Sequence, residues 1–102
     1  MAKYTVIIAS RVDQQLIKHI QFLANVSIEA ARSLRVEYVK VLDRLEDNPY
    51  QFPLETDPVL RESGYHKAIF FKRYKAEFLV EDNTVYLDAV VDCRQNSENI
   101  NL

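Results

Sequence analysis

Apolar residues in the first half of the chain recur at two different spacings. From Tyr4 to Ala9 the run is continuous and rich in β-branched residues, which predicts an opening strand. After Ser10 the period changes. Leu16, Ile17, Ile20, Leu23 and Ala24 fall three and four apart and mark one stripe of a helix. Ser10 with Asp13 three residues on has the form of a capping box with a short acid, so this helix is expected to begin there. Asn25, Val26 and Ser27 interrupt the period. Ser27 is a good N-cap, and Ala31, Leu34, Tyr38, Val41, Leu42 and Leu45 then carry a longer second helix to Glu46. So short a link makes the two helices antiparallel, with their stripes on one shared surface. Arg32, Arg35, Glu37, Lys40, Asp43 and Arg44 fall mostly on the other, solvated side.

The second half alternates instead. The stretch "NPYQFPLETDP" carries three prolines and is expected to be an extended surface connection. Tyr65 to Phe70, Tyr74 to Val80 and Thr84 to Cys93 then suit three strands, with Lys72 and Arg73 at one hairpin tip and "EDN" at the other turn. Sequential strands with tight turns form an antiparallel meander. Packing one face of it on the helical hairpin, with the opening strand completing the sheet, gives an α+β two-layer domain in the order βααβββ. Its sheet is expected to be four-stranded and antiparallel. At 102 residues this is a single domain covering positions 1–102.

Alternation assigns the faces, because residues two apart point the same way. Tyr74, Ala76, Phe78 and Val80 form the core set of the middle strand, leaving Lys75, Glu77 and Leu79 outward. In the last strand Val85, Leu87, Ala89, Val91 and Cys93 are expected inward, with Tyr86, Asp88, Val90, Asp92 and Arg94 opposite. Cys93 is then a small core residue. Lys75, Glu77, Asp88, Asp92 and Arg94 share one outward face, and His66 joins them if Tyr65, Lys67 and Ile69 turn inward. A ladder of opposite charges is ordinary on a solvated sheet face. The functional alternative is a basic site where Lys75 and Arg94 hold a phosphate while His66 or Glu77 moves a proton.

Composition narrows the classes. The chain is 48% hydrophobic and 27% charged, with one glycine, so it can build a core and is not a disordered chain. Its formal charge of -2 excludes a generally basic nucleic-acid surface but not a local patch. The apolar runs are too short to span a bilayer, and no signal peptide is evident, so a cytoplasmic protein is expected. The lone Cys93 forms no internal disulfide and, with His19 and His66, no standard zinc spacing.

Element order and several short stretches resemble the RelE/ParE superfamily, the toxins of bacterial type II toxin-antitoxin modules. The stretches are the helical hairpin "LIKHIQFLANVSIEAARSLRVEYVKVLDRLEDNPYQFP" and the strands "GYHKAIFFKRYKAEFLVEDNTVYLDAVVDCRQN". The resemblance implies a growth-inhibiting toxin held in a hetero-oligomer by a cognate antitoxin, with no cofactor or metal. Against the RelE branch, it implies ribosome-dependent mRNA cleavage with Lys75, Arg94, His66 and Glu77 as catalytic residues. Lys67, Lys72 and Arg73 would then contact RNA. In that alignment Lys75 stands where the branch has an arginine, and the tail "QNSENINL" has no tyrosine to activate the ribose hydroxyl. The helical half is more similar to the ParE and plasmid-stabilisation branch, which implies a non-enzymatic inhibitor of DNA gyrase. A third reading is a degenerate toxin that retains only antitoxin binding.

Overall fold

Both amphipathic stretches are helical in the computed structural model, which describes residues 3–94. Strand β1 (Thr5–Ile8) runs directly into α1 (Ser10–Ala24), and α2 (Ile28–Asp47) follows. Ser10 is not a cap. Ala9 holds the N-cap position, no side chain caps the helix, and the Ala9 N–H is bound instead to the Leu87 carbonyl at 2.9 Å. Ser27 does cap α2, its Oγ accepting from the Ala30 N–H at 3.1 Å, a contact worth about 1 kcal/mol. Val12 and Leu23 of α1 and Ala31, Leu34, Tyr38, Val41 and Leu45 of α2 are buried against the sheet.

The proline-rich connection is more structured than its composition predicts. Pro49–Gln51 forms a 3₁₀ turn, and Pro58–Glu62 forms the short helix α3 with Pro58 in its first turn. Proline suits that place because its missing N–H would have no helical partner there. Asp57 Oδ1 caps α3, accepting from the N–H groups of Val59 and Leu60. Between the two turns the chain runs along the edge of β2 (His66–Phe70): Lys67 N–H donates to the Pro53 carbonyl at 3.0 Å, and Glu55 N–H to that of Tyr65 at 2.8 Å.

Strands β2, β3 (Tyr74–Glu81) and β4 (Thr84–Asp92) form the expected meander, and β1 pairs with β4. The two-layer arrangement of the βααβββ elements is therefore as expected, but β1 runs parallel to β4, so the sheet is mixed. A tight turn forces antiparallel pairing, but β1 and β4 are joined through the whole chain, and nothing local sets their sense.

The larger difference is inside β4. Phe78 lies opposite Leu87 but Glu77 lies opposite Ala89, so Asp88 is an extra residue, a β-bulge. Each residue beyond it changes face. Val85 and Leu87 point to the helices as expected. Past the bulge Val90 and Asp92 do so, opposite Ala76 and Tyr74, while Ala89 and Val91 turn to the other face, opposite Glu77 and Lys75. β1 ends beside Leu87, and α1 continues along the edge of β4 in its place. Gln15 Oε1 accepts from the Val90 N–H at 2.9 Å, and His19 Nε2–H donates to the Val90 carbonyl at 3.0 Å. One helical turn thus satisfies both backbone groups of a residue that has no strand partner on the β1 side.

Candidate functional site

On the sheet face away from α1 and α2, β2 and β3 bring Lys67, Lys75 and Glu77 together. The connection through residue 55 adds a carboxylate that sequence periodicity could not place. Glu55 is fully buried. Its Oε2 accepts from Lys75 Nζ at 2.9 Å, its Oε1 lies 3.8 Å from Lys67 Nζ, and Oε1 also accepts from the Thr56 N–H at 2.7 Å. Burial alone would raise its pKa, but hydrogen bonds involving Glu77, Lys75 and the Thr56 N–H bring it down to about 2. Glu77, equally buried, has no well-aligned hydrogen-bond partner, and its 3.4 Å approach to Lys75 is charge attraction. Desolvation and the neighbouring Glu55 push its pKa up to about 8, so at neutral pH it holds a proton. Tyr65 closes the cluster, donating to Asp88 Oδ2 at 2.6 Å. Lys75 is therefore held between two carboxyl groups, its pKa raised by Glu55 and Glu77 against the opposing effect of burial.

Arg94 is not part of that cluster. The bulge places Asp92 on the helix side, and Asp92 gathers both neighbouring arginines: Arg73 Nε donates to Oδ2 at 3.1 Å, and Arg94 contacts it through Nε at 3.4 Å and a terminal nitrogen at 3.3 Å. These residues line a cleft of about 600 Å³ together with Lys18, His19 and Phe22 of α1. The Arg73 guanidinium sits 5.3 Å from the Phe22 ring centre and 5.2 Å from that of Tyr74, a cation held between two aromatic faces.

The remaining expected site residues lie elsewhere. His66 is opposite Phe78 and stacks on it at 5.4 Å, and its Nδ1 lies 3.0 Å from the Phe52 carbonyl, so it faces the core and not Lys75. Lys67 and Ile69 of β2, with Tyr65 just before it, point outward, the reverse of the arrangement that would have brought His66 out. Lys72 is exposed at the hairpin tip, where it and Phe71 adopt φ of 59° and 51°. Cys93, expected in the core, is exposed on the Lys75 face: burial raises its pKa and Lys75 and Lys67 oppose the rise. The tail beyond Arg94, where the expected tyrosine is missing, lies outside the described residues. Among the described residues no group of three His, Cys, Asp or Glu side chains could hold a metal ion, and no helix is long and apolar enough to cross a membrane.

The helical hairpin and the meander, with the first strand added at the sheet edge beside the last, make up this two-layer fold. It is similar to a chain in the solved structure titled "Chromosomal ParDE TA system from P. aeruginosa", with a TM-score of 0.70 over 88% of this chain and 96% of that one. The two are 14% identical, so the likeness is one of fold. No family model and no curated protein matches the chain.

Proposed function

We propose that this chain is the toxin of a type II toxin-antitoxin pair, that a cognate antitoxin neutralises it, and that it inhibits growth by binding its target rather than by cutting RNA. The fold shared with a chain of a ParDE toxin-antitoxin system supports the first two parts. One observation carries the third: the basic residues expected to work together are split between the two faces of the sheet. Metal-free RNA cleavage needs a proton acceptor for the ribose hydroxyl and a cation for the developing phosphorane charge, both within hydrogen-bond reach of one phosphate. Lys75 and Glu77 are engaged with each other and with Glu55 on one face, while Arg94 and Arg73 share Asp92 on the other. DNA gyrase, the target of the ParE branch that the helical half resembles, is the target this reading favours.

Inducing the chain alone, and then with the small reading frame beside its gene, tests the proposal. Growth should stop in the first case and resume in the second, with plasmid supercoiling reduced only while growth is arrested. Glu77→Gln, which removes the one group of the cluster able to donate and accept a proton near neutrality, should arrest growth as the wild type does. Loss of arrest in a folded Glu77→Gln protein would contradict the binding mechanism, and no arrest by the wild type would contradict the toxin assignment.

A further inference from the structure

We propose that the tip of the helical hairpin, at the turn between α1 and α2, seats the protein on an anionic lipid surface. Val26 and Ile28 enter the headgroup boundary, and cations behind them meet the lipid phosphates. This goes beyond the toxin reading and does not depend on it. Val26 is 79% exposed and Ile28 63%, and Phe22, one turn back on α1, is 55% exposed. Apolar side chains scattered singly over a surface are ordinary, but three gathered at one turn mark a contact site.

Spacing along the helices puts the cations at the right depth. A helix rises about 1.5 Å per residue, so Arg32 stands about 6 Å behind Ile28 on α2 and Lys18 about 12 Å behind Val26 on α1, each on the stripe of the apolar residue ahead of it. Interfacial elements bury their apolar face about 5–10 Å into the headgroup boundary, which brings Arg32 to the phosphates as the tip enters. Among the described residues Lys18, Arg32 and Lys72 form no ion pair, so their charge is available. Lys72 belongs to the β2–β3 turn, which lies beside Ser33 and Glu37 of α2 and whose Arg73 covers the Phe22 ring. In that turn Phe71 and Lys72 hold φ of 51° and 59°, where asparagine and glycine are preferred, so the chain keeps an aromatic and a cation there against its backbone preference. Glu29, exposed beside Ile28, is the charge that opposes the contact.

Carboxylates collect at the other end of the molecule. Glu46 and Asp47 close α2, and Glu81 and Asp82 lead into the β3–β4 turn. The Glu46 carbonyl accepts from the Lys3 and Tyr4 N–H groups and the Asn83 carbonyl from that of Thr5, so the two acidic segments meet beside β1. A formal charge of -2 is therefore divided into a basic, apolar end and an acidic one. Near an anionic surface such a molecule turns its hairpin tip inward. The shape of the tip selects a bilayer over other anionic partners: Val26 and Ile28 are aliphatic and protrude, so they give a nucleobase nothing to stack on, and a protein partner would need a matching apolar pocket.

Co-flotation of the full chain with phosphatidylcholine vesicles, and with mixed phosphatidylcholine and phosphatidylglycerol vesicles, tests this. Binding should be confined to the anionic vesicles and weaken with added salt. Arg32→Ser should weaken it about fivefold, the double variant Val26→Ser, Ile28→Ser should weaken it about tenfold, and Glu29→Gln should strengthen it. All four positions are exposed, and a wild-type urea midpoint for each variant would show that its effect is local. The chain has no tryptophan, so Val26→Trp supplies a single reporter whose emission should shift to the blue on anionic vesicles only. No flotation with anionic vesicles, equal flotation with neutral ones, or unchanged binding by the double variant would overturn the proposal. So would unshifted tryptophan emission from a chain that floats, because the tip would then lie outside the bilayer. Self-association in sedimentation that is lost in the double variant would assign the tip to a second copy and likewise overturn it.

Discussion

Glu77 is a carboxyl group with no exposed surface and no well-aligned hydrogen bond, placed beside a second carboxyl and a lysine. The folded state keeps its proton up to about pH 8, whereas an unfolded glutamate releases it near pH 4.3. Between those values the native state binds the extra proton, so stability falls as pH rises through the window. Glu55 acts in the opposite sense: its lowered pKa makes stability rise from about pH 2 to pH 4.5. The pair therefore gives a maximum near pH 4 to 5. Glu77→Gln should flatten the decline, leaving the variant more stable than wild type at pH 9, by up to about 4 kcal/mol, and about equal to it at pH 5. Urea unfolding at pH 5, 7 and 9 reads this directly, and a parallel decline in both proteins would reject it. Alternation along β3 alone put Glu77 and Lys75 on one outward face. It could not show that Glu55 lies over them, because Glu55 sits in a proline-rich connection with no period to read.

A single inserted residue in β4 decides which side chains can meet. Alternation is right as far as Leu87 and inverted from Ala89 on, because the bulge at Asp88 shifts the register by one. No glycine or proline marks it; "YLDAVVD" reads as an unbroken strand with apolar residues at both parities. Val90 and Val91 are both buried, on opposite faces, so hydrophobicity could not choose between the registers. Arg94 and Cys93 were misplaced for this reason alone. The helices were legible because each has one clear stripe; the role of α1 as a stand-in strand was not, since Gln15 and His19 carry no signal of a backbone partner 75 and 71 residues away. Gln15→Ala leaves the Val90 N–H without its acceptor and should cost about 1 to 3 kcal/mol. The Val90 amide should then exchange with solvent faster than its neighbours in β4. Unchanged protection at Val90 would mean that this edge is held by something other than α1.

At the scale of the whole molecule, the order of elements was readable from the chain, and the sense of β1 was not. The sheet separates two charged centres that were expected to be one. A lysine and carboxyl cluster pins the 53–65 connection to one face, and an arginine and aromatic cleft opens on the other. Under the proposed toxin reading, growth inhibition is compatible with cutting RNA or with occupying a target, and the separation of Lys75 and Glu77 from Arg94 favours the second. Mapping transcript 5′ ends in cells before and after induction of the wild-type chain tests this most directly. Growth should stop while the positions and abundance of 5′ ends within coding sequences stay as they were. New 5′ ends inside translated regions, appearing with the arrest, would contradict the account.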